Sequence, residues 1–160
     1  MDAASSAATK WAERELVVTR IIDAPRALVF KAWTDPQHLA QWWGPHGYTT
    51  PVCDIEPRVG GELRIHVRAP DGAVHCLEGV IRDVVAPERL VFENTVVMAG
   101  RRMLEGLVTV TFAERGGKTT MTVHARAAAI ADEAVSWLRG MNEGWTQTIE
   151  RLEAFVAQAV

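Results

Sequence analysis

"DEAVSWLRGMNEGWTQTIERLEAFVAQAV", residues 132–160, decides how this chain folds. Val135, Leu138, Met141, Trp145, Ile149, Leu152 and Val156 recur every three or four residues, which places them on one stripe of an α-helix. From Asp132 to Gln158 a single helix would run about 40 Å. A stripe that long needs an equally long apolar surface to cover it. The preceding residues supply one. Between 48 and 127 the hydrophobic period drops to two, with strand-like runs near 48–57, 61–69, 74–85, 89–97, 104–114 and 118–127. The breaks "PRVGG", "PDG", "APE", "MAGRR" and "RGG" are turn chemistry. Short links between neighbouring strands make an antiparallel meander.

Further upstream, "ELVVTRIIDAP" (15–25) reads as a strand. "DAPRALVFKAWTD" reads as a helix capped by Asp23 or Ala24, with Pro25 in its first turn. "DPQHLAQWWG" repeats the pattern, with Asp35 as N-cap, Pro36 at the first helical position and Gly44-Pro45 as the stop. The order β, α, α, six β, long α predicts an α+β fold: a sheet of about six or seven strands with helices on one face.

The chain has 160 residues, 48% hydrophobic and 23% charged, with a net charge of −3. These values fit one globular domain over 15–160, with 1–14 expected to fray. No basic cluster suggests nucleic acid, and no apolar run is long enough to span a membrane. A cytoplasmic protein is expected. His38, His46, His66, His75 and His124 share no metal-ligand spacing, and Cys53 and Cys76 form no zinc pattern, so neither metal nor cofactor is implied.

Side-chain facing follows from hairpin register, because a one-residue slip inverts every side chain. If Ala69 opposes Ala73, then Val67 faces His75, Ile65 faces Leu77, Leu63 faces Gly79, and Arg64 pairs with Glu78 on the other side. His75 then points inward and His66 outward. In the "ERGGKT" hairpin, Glu114 opposite Gly117 puts Phe112, Val110 and Val108 inward and His124 outward. Pairing Asp83 with Phe92 and Ile81 with Asn94 turns Asn94 inward. An inward His75 and Asn94 need partners from the protein or from a wet cavity. Gly140 and Gly144 sit beside the helix stripe, each at a cost of about 1 kcal/mol relative to alanine. Either close packing or a need for space would explain them.

Several phrases in order, "VTRIIDAPRALVFKAWTDPQHLAQWWGP", "RVGGELRI", "GVIRDVVAPERLVF", "LVTVTF" and "EGWTQTIERL", resemble bacterial proteins related to the Aha-type activator of the heat-shock protein 90 ATPase. That family belongs to the START-like superfamily, which includes polyketide cyclases. The resemblance implies a helix-grip fold, in which a curved antiparallel sheet wraps the C-terminal helix around a cavity. It also implies a hydrophobic or aromatic small-molecule guest, lipid-like or polyketide-like. Trp33, Trp42, Trp43, His46, Ile65, His75, Phe92, Asn94, Met141 and Trp145 are the expected ligand-binding residues. Were the protein an enzyme, a cofactor-independent cyclase, aromatase or hydrolase, His75 would be the first candidate base and His46 the second, with Asp83 to orient or polarise. A third reading is a chaperone-interacting module like the ATPase activator. A homodimer through an uncovered sheet edge is left open.

Overall fold

The computed structural model describes residues 12–159 of the chain. Seven strands form one antiparallel sheet: β1 (Glu13–Ile22), β2 (Thr49–Ile55), β3 (Glu62–Arg68), β4 (Val74–Val85), β5 (Arg89–Met98), β6 (Arg101–Arg115) and β7 (Lys118–Ala129). Their spatial order is β1-β7-β6-β5-β4-β3-β2, a meander whose first strand returns to pair with the last. Between β1 and β2 lie helices α1 (Arg26–Thr34) and α2 (Pro36–Trp42). After β7 a short 3-10 turn leads into α3 (Val135–Arg139) and then α4 (Met141–Ala159). This is the predicted α+β helix-grip architecture.

Four expectations need correction. β1 starts at Glu13, where Glu13 and Arg14 pair with Ala128 and Ala127, so these two residues belong to the sheet and not to a frayed lead. Residues 1–11 lie outside the described residues. Helix α1 is not capped by Asp23 or Ala24: Pro25 itself takes the N-cap position, in extended conformation and without a side-chain bond. The 40 Å helix is interrupted. Gly140 leaves helical geometry at φ −89°, ψ 3°, its amide bonds back to the Trp137 carbonyl, and a new helix starts at Met141. The β6–β7 register is displaced by two residues from expectation, with Phe112 opposite Met121 and Val108 opposite Ala125. There Gly116 and Gly117, at φ 60° and 78°, form a two-residue turn between Arg115 and Lys118. Two consecutive positive φ values suit a tight hairpin, and a shift by two preserves every facing.

The β3–β4 register is as predicted, with Val67 opposite His75 and Ile65 opposite Leu77. Asp35 caps α2 by accepting from the Gln37 amide. Ile149, Leu152 and Val156 of α4 are fully buried against Val110, Met121 and Val123 in the main apolar cluster with Trp33, Trp42 and Leu39. Met103, Ala129, Ala134 and Leu138 form a second, smaller cluster near α3. Ile149→Ala should therefore leave a cavity in the main cluster and lower unfolding free energy by about 2–5 kcal/mol. Urea unfolding would check this, with the midpoint falling and the slope unchanged.

Candidate functional site

Between the two clusters the sheet and the C-terminal helices do not meet. A cavity of about 410 Å³ remains there, lined from the sheet side by Leu77, Phe92, Asn94, Val96, Leu104, Gly106, Val108 and Ala127, and from the helix side by Trp137, Leu138, Gly140, Met141, Gly144 and Trp145. Its origin is a shortage of side-chain volume. Asn94 on β5 lies opposite Gly79 of β4 and Gly106 of β6, and Gly106 lies opposite Ala127 of β7. A Cβ at Gly106 would come within 2.8 Å of Asn94 Oδ1 and 2.9 Å of the Arg126 carbonyl, so the floor there is backbone. The helix glycines behave differently. A Cβ at Gly144 would meet only Pro45 Cγ at 4.0 Å, and one at Gly140 only the Trp137 carbonyl at 3.8 Å. They leave room and do not permit a close approach.

Four tryptophans converge at one end. Trp33 and Trp42 pack edge to face at 4.8 Å, Trp33 stacks near Trp145 at 6.4 Å, and Trp43 meets Trp145 edge to face at 5.7 Å. Trp33 and Trp42 are 1% and 0% exposed, with their indole N–H groups satisfied by Met121 Sδ and the Ala32 carbonyl. They form a dry wall behind the cavity. Trp43 and Trp145 face it. Ile65 is likewise plain core, 1% exposed and away from the lining.

His46 is not a cavity residue. It follows Gly44-Pro45 on an exposed loop, and its Nε2 lies 3.1 Å from Glu150 Oε1, with its side chain 57% exposed. Asp83 is also outside. A bulge between Ile81 and Asp83 changes the phase of β4, so Ile81 opposes Phe92 and Asp83 opposes Val91. Asp83 then pairs with Arg89 at 2.7 Å on the outer face.

His75 does line the cavity, with its ring 5.2 Å from Trp137 and 6.3 Å from Tyr48. Burial pushes its pKa below the ordinary histidine value, against a weaker opposing pull from Asp71. Asn94 is inward, as predicted, and its Oδ1 is buried without a partner among the described residues. Tyr48, Val67 and Trp137 were not among the predicted lining residues. Trp137 lies off the helix stripe, and the break at Gly140 is the signal that points to it. No group of three His, Cys, Asp or Glu comes together as a metal site among the described residues. Burial, followed by the Asp54 charge, raises the Cys53 thiol to about 12, which makes it a poor nucleophile.

The mouth is held by Arg151 of α4. Its Nη1 donates to the carbonyls of Trp43 (3.0 Å), Gly44 (2.9 Å) and Pro45 (3.2 Å), and Nη2 reaches the Gln41 carbonyl at 3.4 Å. These are the end of α2 and the loop after it, where carbonyls carry partial negative charge. The His46 amide also donates to Gln147 Oε1 at 3.2 Å.

A curved antiparallel sheet gripping a C-terminal helix, with a cavity between them, defines a START-like helix-grip protein. The chain belongs to the family described as activator of Hsp90 ATPase homolog 1-like protein, whose model matches residues 23–157. Solved structures agree. A Rhizobium leguminosarum protein is 27% identical, covers 91% of this chain and 95% of its own, and superposes with TM-score 0.76. A Chromobacterium violaceum protein is 26% identical over 89% and 96%, with TM-score 0.73. The AHSA1 protein of Silicibacter pomeroyi, 22% identical with TM-score 0.75, shares the fold. No curated protein matches the chain.

Two outcomes are expected. Arg151→Met should speed amide exchange across residues 43–48, and Arg151→Lys should rescue little, because a lysine cannot reproduce a planar fork across several carbonyls. A protection map by hydrogen–deuterium exchange checks both. His75 has a folded-state pKa below its unfolded value near 6.5, so the unfolded chain takes up the proton first. Stability should be free of this penalty at pH 7.5 and decline as pH falls through about 6.5 towards the folded-state value. In His75→Gln that part of the pH dependence should vanish from thermal melts.

Proposed function

We propose that the protein binds a hydrophobic or aromatic small molecule in the cavity and does not turn it over. One observation carries this reading: a cavity of about 410 Å³, largely apolar, is roofed by Gly140 and Gly144, which lack side chains. Its size falls within the roughly 300–1,000 Å³ typical of small-molecule sites. Trp43, Tyr48, Phe92, Trp137, Met141 and Trp145 supply rigid, polarisable walls. The family membership is compatible with this role. Of the expected ligand-binding residues, Trp43, His75, Phe92, Asn94, Met141 and Trp145 remain in the site. A catalytic reading would rest on His75 as a neutral base. No aspartate or glutamate is among the lining residues to orient it, now that Asp83 is on the outer face.

Gly144 offers the test. Gly144→Ala should stabilise the empty protein by about 0.5–1 kcal/mol, because alanine is the better helix former and its Cβ has room. Gly144→Leu should fill the cavity and abolish the rise in melting temperature that uncharged aromatic probes give the parent protein. A destabilising Gly144→Ala, or probe-induced shifts that survive Gly144→Leu, would count against the cavity as the binding site.

A further inference from the structure

Resting on the reading that the cavity holds a guest, we infer that this guest is an uncharged molecule carrying a hydrogen-bond acceptor, received by the Asn94 side-chain amide on the cavity floor.

The absence of charge comes from the lining. Among the described residues of the lining, Arg126 is the sole ionisable one apart from His75 and Tyr48, and its Nε lies 3.7 Å from Glu15 Oε2. Arg126 follows the buried Ala125 on β7, so its side chain leaves from the opposite, outer face, where Glu15 stands. A charged guest would lose its water and find no free counter-charge, because the Arg151 guanidinium at the mouth is already spent on the carbonyls of Trp43, Gly44 and Pro45.

The acceptor follows from what the lining offers. Asn94 Oδ1 is turned towards β6, at the spot a Gly106 Cβ would approach to 2.8 Å, and is itself buried. The Nδ2 group is then the part of the amide that remains for the cavity. The indole N–H groups of Trp43 and Trp145 have no partner among the described residues, and an indole can only donate. The Thr148 hydroxyl, a further polar group of the lining, is already engaged with the Gly144 carbonyl at 2.8 Å. Asn94 Nδ2 and the two indole N–H groups are thus donors in the lining that no described residue engages. A ketone, ester or ether oxygen on an apolar frame would match them. The amide sits between Gly79 and Gly106 on the neighbouring strands, and a side chain at Gly106 would crowd it.

Calorimetric titration with three naphthalenes of similar size separates the possibilities: 2-acetylnaphthalene, 2-ethylnaphthalene and 2-naphthoate. The ketone should bind the parent protein at least tenfold more tightly than the carboxylate. Asn94→Leu, which keeps the branching at Cγ and removes the polar atoms, should weaken the ketone threefold or more and leave the hydrocarbon unchanged or tighter. Infrared spectra of the ketone on the unmutated protein give a second readout, independent of whether the variant folds. The bound carbonyl stretch should lie below its position in hydrocarbon solvent. Binding of ketone and hydrocarbon that Asn94→Leu affects equally, with an unshifted carbonyl stretch, would overturn the inference and leave the cavity reading standing. Preference for the carboxylate would also overturn it. Failure of all three probes to bind would overturn the cavity reading and this inference together.

Discussion

The C-terminal helix has one apolar side, and the sheet beneath it carries enough side-chain volume to meet only part of that side. Along the second half of the helix, Ile149, Leu152 and Val156 are buried in one apolar cluster with Val110, Met121 and Val123. Along the first half, Met141, Gly144 and Trp145 look across a gap at Asn94, Gly106 and Ala127. The well-packed half fixes where the helix lies, and that placement holds the other half clear of the floor. The void is thus the result of a graded core, and burial of the lower stripe, at about 25 cal/mol per Å² of apolar surface, is what holds it open.

The tryptophan wall and the Arg151 clamp give this arrangement a second support. Trp33 and Trp42 use their indole N–H groups within the core, so they are fixed in orientation as well as in place. The Trp43 indole makes no such bond to a described residue, and its position is secured through its own carbonyl by Arg151. Among the described residues the guanidinium finds no carboxylate there, only a row of carbonyls at the end of α2 and in the loop after it. Partial desolvation lowers its pKa without threatening its charge. A charge that serves backbone oxygens, and not another side chain, ties a loop of "WWGP" to a helix more than 100 residues later in the chain.

Much of this was legible in the sequence because alternation and turn residues are local signals. "PDG" set the β3–β4 register, and with it the inward direction of His75 and Ile65. What failed did so for identifiable reasons. The bulge between Ile81 and Asp83 adds a residue that no alternation pattern announces, and it moved Asp83 to the opposite face. At Gly140 a glycine inside a helical pattern does not say whether the helix continues, and here it stops. His46 looked like a cavity residue because it follows two tryptophans. Gly44 and Gly47, at φ 97° and 88°, turn the loop outward between them. Periodicity also could not tell Trp42 from Trp43. That division depends on where α2 ends, since Trp42 is its last residue and Trp43 already has extended backbone.

The graded core has a consequence for how long the protein lasts in a cell. A fold with an unfilled interior stands at its least stable when empty, and any molecule that binds only the folded state adds to stability in proportion to the logarithm of its concentration. Chains caught open are the ones that proteases remove, so a shift of about 1–2 kcal/mol changes standing abundance several-fold. Gly144, inside α4, lowers the stability of the empty form by about 1 kcal/mol relative to alanine. Were a guest to complete the core, the quantity of this protein in a cell would track that guest's supply.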